Sequence, residues 1–310
     1  MRLAGPAVLL VALVIGGCFG GTAGPDLSPL ARQVRDLRDK GHRALGLGDV
    51  ERASMVYADA RRLAESIDDR LGLAAVLNDL GTIAGLQGDY VKAAQLYRRA
   101  LAIARTLDDK LLAVSALSYM GQAAHLMGDT AAALGHYQQA LALSRELTDR
   151  RGEAVVLNNL GLLRQANGEL DQAEQSFRQA LAINTDLCER RSMASNLSNL
   201  GSLLEARGRP VEARGYYEQA LTFDKEVEDR TAIAADLANL GRLAEGENRL
   251  DEALGYYDRA YRGYRAQNKM AKAADALKRL IRVAKVLGPD ALAAEYDREL
   301  KALLAPPEKK

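Results

Sequence analysis

Amide side chains recur at a fixed interval in this sequence, and their type and spacing first suggest a chemical role. Asn159, Asn199 and Asn239 are 40 residues apart, and Asp79 and Tyr119 hold the same register. An amide offers both a hydrogen-bond donor and an acceptor. Asn is also among the weaker helix formers, so its recurrence needs a reason. A ladder of amides could pair with the backbone of an extended polypeptide; repeat duplication with local backbone capping is the alternative.

A second set of candidate side chains is basic and lies near the end of the chain. Lys278, Arg282 and Lys285 follow the i, i+4, i+7 spacing that places side chains on one helical face. This face could hold an acidic segment or a C-terminal carboxylate. A solvated helix face is the alternative. Arg242, three residues after Asn239, adds one more cation to the candidate binding residues.

Residues for catalysis or metal binding do not form a recognised pattern in the sequence. His42, His125 and His136 are far apart, and none belongs to a triad or stands at metal-ligand spacing. The glycines do not follow a phosphate-binding loop pattern. We therefore expect no catalytic residue, no metal and no cofactor. The net charge of +1 argues against a nucleic-acid partner, because that affinity comes from concentrated positive charge.

A 40-residue period defines the elements that would position these side chains. Its most regular landmarks are Leu80-Gly81, Met120-Gly121, Leu160-Gly161, Leu200-Gly201 and Leu240-Gly241, with Lys40-Gly41 as a less complete copy. A leucine three residues before each pair forms an i, i+3 stripe, and the pattern Ala-x-x-x-Tyr/Phe-x-x-Ala forms the face of a second helix. Such a period indicates stacked helix pairs.

Glycine inside the first helix of each pair predicts close contact between helices. Helical glycine costs about 1 kcal/mol relative to alanine. Its recurrence therefore suggests that the aromatic ring of the second helix fills the space beside it. Aspartates near the helix starts, such as Asp49 and Asp69, are expected to cap free backbone N–H groups. Cys188 is interpreted as a small packing residue late in a second helix.

The pattern Leu-x-x-Leu-Gly followed by Ala-x-x-x-Tyr/Phe-x-x-Ala resembles the tetratricopeptide repeat (TPR) over residues 30–304. The unit has 40 residues instead of about 34, lacks the usual Trp and late Pro, and is similar to the repeats of kinesin light chains and Pins-type adaptors. The resemblance implies an all-α fold, a right-handed α-solenoid of six helix pairs and a degenerate seventh capping pair.

The family also implies where a partner would bind. Its first helices line a concave groove that holds a peptide or a partner helix, and the position before Leu-Gly faces that groove. The resemblance therefore makes five residues candidates for contact with a protein or peptide partner: Asp79, Tyr119, Asn159, Asn199 and Asn239. The expected function is that of a non-enzymatic protein–protein interaction scaffold.

The N-terminal residues resemble a bacterial lipoprotein signal. Arg2 precedes an apolar run, and small residues lead to Cys18. We expect residues 1–17 to be a signal peptide, Cys18 to carry the lipid anchor, residues 18–29 to form a flexible tether, and residues 305–310 to be disordered. This places the protein in a bacterial cell envelope, facing the periplasm or exterior. An ordinary secretory signal with a chance cysteine is the alternative.

Other functions remain open at this point. A pilotin-like or assembly role for an envelope complex rests on the combination of lipoprotein and repeats, which is analogy. An enzyme with its site between units would need an acid/base cluster that the sequence does not show. An RNA-reading repeat protein is disfavoured by the near-zero charge and the export signal.

Overall fold

The computed structural model describes residues 27–288 and 290–305 as a stack of antiparallel helix pairs. No strand occurs within these ranges. The helices are α1 Pro29–Gly46, α2 Val50–Ser66, α3 Arg70–Leu86, α4 Tyr90–Thr106, α5 Lys110–Leu126, α6 Thr130–Glu146, α7 Arg150–Ala166, α8 Leu170–Asp186, α9 Arg190–Ala206, α10 Pro210–Glu226, α11 Arg230–Gly246, α12 Leu250–Ala266, α13 Met270–Leu287 and α14 Asp290–Leu304. Each odd-numbered helix pairs with the next even-numbered one, so the predicted all-α solenoid is confirmed.

The predicted N-terminal features lie outside this description. Residues 1–17 and Cys18 are not among the described residues, nor are most of the expected tether and tail. The lipid anchor and the signal peptide therefore stay predictions. None of the described helices has the length and apolar content needed to cross a bilayer.

Aspartate caps explain where many of the helices begin. The side chains of Asp49, Asp89 and Asp129 accept hydrogen bonds of 3.0 Å from backbone N–H groups three residues later, at the starts of α2, α4 and α6. Asp69 and Asp109 do the same between repeats. These bonds satisfy backbone donors that have no partner within the helix, so the predicted caps are confirmed at these positions.

Glu189 departs from the pattern of caps. Its side chain makes no capping bond to α9 and instead lies 2.5 Å from the guanidinium of Arg151, one repeat earlier. Cys188, next to it, corrects the sequence interpretation: α8 ends at Asp186, and Cys188 lies exposed in the following turn with a φ of 55°. It is therefore not a packing residue.

The predicted contact between glycine and ring is present in all six complete repeats. A Cβ added to Gly161 would lie 2.5 Å from Cε1 of Phe177, and one added to Gly201 would lie 2.8 Å from Tyr217. Gly41, Gly81, Gly121 and Gly241 meet Tyr57, Tyr97, Tyr137 and Tyr257 in the same way. Each ring is buried between two buried alanines of its own helix. Glycine thus lets the two helices of a pair approach closely.

The seventh pair lacks this contact. Ile281 occupies the glycine position in α13 and Asp297 the ring position in α14. Because an aspartate and not a ring occupies the matching position of α14, the position in α13 does not have to be glycine. The pair packs instead through Leu277, Leu280 and Ala293, which are buried. Its departure from the repeat is what the terminal unit of an array needs.

The array curves far enough to bring distant repeats together. The Nζ atom of Lys269, between α12 and α13, lies 3.1 Å from the position that a Cβ on Gly48 would occupy in the α1–α2 turn. Odd-numbered helices also contact the next odd-numbered helix, as α1 contacts α3 and α3 contacts α5. The odd-numbered helices therefore line the inner, concave side of the array.

Candidate partner-binding groove

Hydrogen bonds between consecutive odd-numbered helices define the inner face of the array. They join residues 37 to 41 positions apart, one repeat to the next. Most of the side chains involved are partly buried. We call this surface, formed by the inner sides of α1, α3, α5, α7, α9, α11 and α13, the groove.

The amides of the groove are bonded through their donors. The Nδ2 atom of Asn159 donates to Oγ of Ser118 at 3.3 Å, and Nδ2 of Asn199 donates to Oδ1 of Asn158 at 2.8 Å. In the described part of the chain, the Oδ1 atoms of Asn159 and Asn199 have no hydrogen-bond partner. The ladder therefore holds neighbouring repeats together and still presents unoccupied acceptors.

Asn158 is a bonding centre that sequence reasoning did not identify. Its Oδ1 accepts from Asn199 and, at 2.9 Å, from Nδ2 of Asn196. Asn196 in turn accepts from Asn184 of α8 at 2.7 Å, and both of these asparagines are buried. Sequence reasoning had no signal for this centre, because Asn158 and Asn196 are 38 residues apart and do not share a position in the 40-residue repeat.

The last two groove-facing helices carry ion pairs. Arg242 bonds to Glu205 and donates to Oδ1 of Asn239 at 3.0 Å, so Asn239 differs from Asn159 and Asn199. Arg282 makes two contacts of 2.7 Å with the carboxylate of Glu245, through Nε and Nη2. Such bidentate pairs are stronger than single contacts.

The three predicted basic residues of the seventh repeat do not act alike. Lys278, Arg282 and Lys285 are all exposed on α13. Arg282 is paired with Glu245, whereas Lys278 and Lys285 have no ion-pair partner among the described residues. Two of the three cations are therefore available to an acidic ligand. Binding of an acidic segment by this face stays a prediction, with two free positive charges instead of three.

A charged cluster closes the other end of the groove. Asp79 accepts a 2.7 Å bond from Nε of Arg38 and lies 3.0 Å from Nε2 of His42. Burial alone would raise the pKa of the Asp79 carboxyl, but the bond to His42 and the charge of Arg38 outweigh it and leave the pKa below its ordinary value. The Tyr57 hydroxyl is buried beside this cluster with no hydrogen-bond partner among the described residues.

Tyr119 borders the Asp79 cluster as an aromatic wall. Its ring stacks on Tyr97 with centroids 5.2 Å apart. Burial, together with the charge of Asp79, raises the pKa of Tyr119 to about 12. The hydroxyl therefore stays protonated near neutral pH and can donate a hydrogen bond.

The remaining histidines are isolated. Burial lowers the pKa of His125, and burial together with the charge of Arg98 lowers the pKa of His136. Neither has a hydrogen-bond partner among the described residues. Within the same residues, no three His, Cys, Asp or Glu side chains are grouped so that they could hold a metal ion.

Comparison with known structures identifies similar folds. The Rap conjugation gene regulator of plasmid pLS20, in complex with the Phr* peptide, is 16% identical with a TM-score of 0.68, over 94% of this chain and 84% of that one. Aspartyl phosphate phosphatase F from Bacillus subtilis is 12% identical with a TM-score of 0.65, over 89% and 71%. BtubC (BKLC) from P. vanneervenii is 24% identical with a TM-score of 0.57, over 78% and 93%. At these identities the likeness establishes the fold alone. A search of curated proteins gives no match.

Family profiles match most of the described array. The profile for the tetratricopeptide repeat matches residues 40–106, and the profile described as the MalT-like TPR region matches residues 106–296. The second match covers more than half of the 310 residues. It agrees with the stacked helix pairs, the glycine–ring contacts and the inner face lined by odd-numbered helices. This chain therefore belongs to the tetratricopeptide repeat proteins, with a MalT-like TPR region.

Proposed function

We propose that this chain is a non-enzymatic interaction scaffold whose groove binds an extended segment of a partner protein or a peptide. The observation that carries the proposal is the state of the amide ladder. The donors of Asn159 and Asn199 are fixed by the neighbouring repeat, while their Oδ1 atoms accept no hydrogen bond from residues 27–288 or 290–305. Backbone N–H groups of a partner segment would supply the missing donors, because an extended chain presents such groups at regular spacing.

The groove is not uniform, and this would give the bound segment a direction. The repeats near Tyr119 present an aromatic wall and, at Leu126, an exposed apolar side chain. The opposite end presents Lys278 and Lys285, two exposed cations with no ion-pair partner in the described part of the chain. A partner segment with apolar side chains at one end and acidic groups at the other complements both ends. Affinity would then come from many modest contacts spread over the repeats.

The comparisons support a binding role at the level of the fold. One structural neighbour is described in complex with a peptide, and TPR arrays are interaction scaffolds. Another neighbour is an aspartyl phosphate phosphatase, so the fold can also accompany catalysis. We favour binding for this chain because His42 and Asp79 are used in a contact between repeats with Arg38, and His125 and His136 have no carboxylate or cysteine bonded to them among the described residues.

The place of action is part of the proposal. We propose export, with a lipid anchor at Cys18 that tethers the array to a bacterial envelope membrane. The support is the apolar run followed by small residues and Cys18 in the sequence. A Cys18→Ser variant that stays in the membrane fraction as fully as the unchanged protein would count against the lipid anchor.

Replacing Asn159 and Asn199 together with alanine is expected to weaken partner binding about tenfold or more, since each lost hydrogen bond contributes about 0.5–1.5 kcal/mol. Melting should change little, because alanine is a better helix former than asparagine by up to about 0.7 kcal/mol at each position and so offsets much of the two lost bonds, and because Asn158 still accepts from Asn196. Crosslinking pull-down from membranes measures the amount of partner retained, and circular dichroism measures the melting.

The matched control replaces Gln139 and Gln179 with alanine. These amides also stand 40 residues apart, but they lie exposed on the even-numbered helices α6 and α8, away from the groove. This variant should retain the partner fully. Equal loss of partner from both double variants, or melting of the array caused by the Asn159 and Asn199 changes, would contradict the proposed role of the ladder.

A further inference from the structure

Two aspartates face each other in the core between the fifth and sixth repeats. Asp224 of α10 and Asp236 of α11 are only 3% and 2% exposed. Ser198 of α9 donates a short hydrogen bond to Oδ1 of Asp236. The Oδ2 atom of Asp236 is buried and has no hydrogen-bond partner among the described residues. Carboxyl groups are rarely buried so completely without a cation or several donors.

The interface one repeat earlier carries two uncharged side chains at the positions that match Asp224 and Asp236. Asn184 and Asn196 stand 40 residues before Asp224 and Asp236, and they are also buried. They bond to each other at 2.7 Å, amide to amide, with no charge to compensate. At these two positions the interface between the fifth and sixth repeats carries two acids in place of the two amides.

The surrounding charges do not neutralise the acids. Arg191 of α9 lies 3.3 Å from Asp229, which caps α11 and adds a further negative charge beside the pair. Tyr264 of α12 faces Asp236, and Lys272 of α13 lies over the Tyr264 ring at 5.2 Å. Among the described residues, no cation forms an ion pair with Asp224 or Asp236. Two ionised carboxylates here would repel each other in a medium of low polarity.

We propose that Asp224 and Asp236 form a proton-holding pair that makes the joint between the fifth and sixth repeats sensitive to pH. When the pair keeps its proton, a carboxyl O–H is available to bond the opposing carboxylate and α10 packs against α11. When both groups ionise, their repulsion loosens this packing. Ser198, which is bonded to the pair, is adjacent to Asn199 of the groove, so the loosening reaches the surface proposed to bind the partner.

The direction of the effect follows from burial. Burial raises the pKa of both carboxyls, and the neighbouring negative charges raise it further. A group whose pKa is higher in the folded than in the unfolded protein contributes stability that is complete below the unfolded pKa, about 4 for aspartate. This contribution is lost as the pH rises through the folded pKa. The joint should therefore loosen on the alkaline side, unlike most aspartate interactions.

The test measures local opening of the joint at two pH values. Hydrogen exchange of the α10 and α11 amides, corrected for the intrinsic exchange rate, gives the equilibrium constant for local opening. Between about pH 5 and pH 9 this constant should rise with pH, by up to about tenfold per pH unit for each proton that opening releases. Amides of α5 and α6, which carry no buried acid pair, should show a much smaller rise. Urea unfolding of the full chain over the same range reports the global effect.

The matched variant copies the preceding repeat. Asp224→Asn with Asp236→Asn should remove the pH dependence of α10 and α11, and the single Asp236→Asn variant should reduce it if the double variant folds poorly. Asp251→Asn, an exposed aspartate of α12, should leave the dependence unchanged. Opening of α10 and α11 that does not depend on pH in the unchanged protein, or that keeps its dependence in the double variant, would overturn the proposal. Neither outcome depends on whether the groove binds a partner.

Discussion

Gly161→Ala is expected to destabilise the array by about 1–3 kcal/mol, although alanine is the better helix former by about 1 kcal/mol. The added Cβ would lie 2.5 Å from Cε1 of Phe177 and 2.6 Å from Cδ1. Phe177 is fully buried, and its helix is held close by Ala173 and Ala180, which are also fully buried. To relieve this overlap, either the buried ring shifts against its neighbours or the two helices of the pair separate, and both cost packing energy.

A second glycine supplies the control for this prediction. Gly135 lies inside α6, and a Cβ added to it would have nothing within 4 Å. Gly135→Ala should therefore stabilise the array by about 0.5–1 kcal/mol through helix propensity alone. Urea unfolding monitored by circular dichroism measures both. If the two alanines shift the midpoint in the same direction, the close approach of helices does not explain the recurrent glycine.

Leu160→Ala is expected to cost about 2–5 kcal/mol, the range for truncating a buried leucine. Leu160 is 2% exposed and packs in a cluster with Val156, Leu163 and the neighbouring repeat. Because stability in a repeat array is carried by each unit and its neighbours, α7 and α8 should open first. Hydrogen exchange resolved by segment measures this loss.

A substitution at an exposed position of the same helix serves as the control, because it changes helix propensity without removing buried packing. Val155 is 40% exposed on α7, and Val155→Ala should change stability by less than about 0.5 kcal/mol. Uniform loss of protection along the whole chain in Leu160→Ala, with no early opening of α7 and α8, would argue against independent repeats. A loss no larger than that of Val155→Ala would argue against the packing described for Leu160.

Features that repeat in register could be predicted from the sequence. The glycine–ring contacts could be predicted because the separation along the sequence between Gly161 and Phe177 recurs in each of the six complete repeats. The aspartate caps depended on local hydrogen bonds within three residues. Both are short-range properties of one repeat, and each copy supports the others. Cys188 was predicted to lie late in a second helix, but α8 ends two residues before it, at Asp186, and helix ends are uncertain by one or two residues.

Contacts between repeats could not be predicted in the same way. Asn158 accepts from Asn196 across 38 residues, and Arg282 reaches Glu245 across 37. These separations along the sequence differ from the 40-residue period, because the side chains lean along their helices and the repeats are rotated relative to each other. The pairing of Asp79 with Arg38 and His42 has the same origin. Position in the repeat predicted which residues lie on the inner helices, but not which of them bond to each other.

The groove can be tested directly by comparing its two sides. A photo-crosslinking amino acid would replace Gln122 or Gln165 on the inner helices α5 and α7, and Gln139 or Gln179 on the outer helices α6 and α8, in the full chain. We predict that the same partner is crosslinked from both inner positions and from neither outer one. Crosslinks to that partner from the outer positions alone would contradict the proposal that the groove is the binding surface.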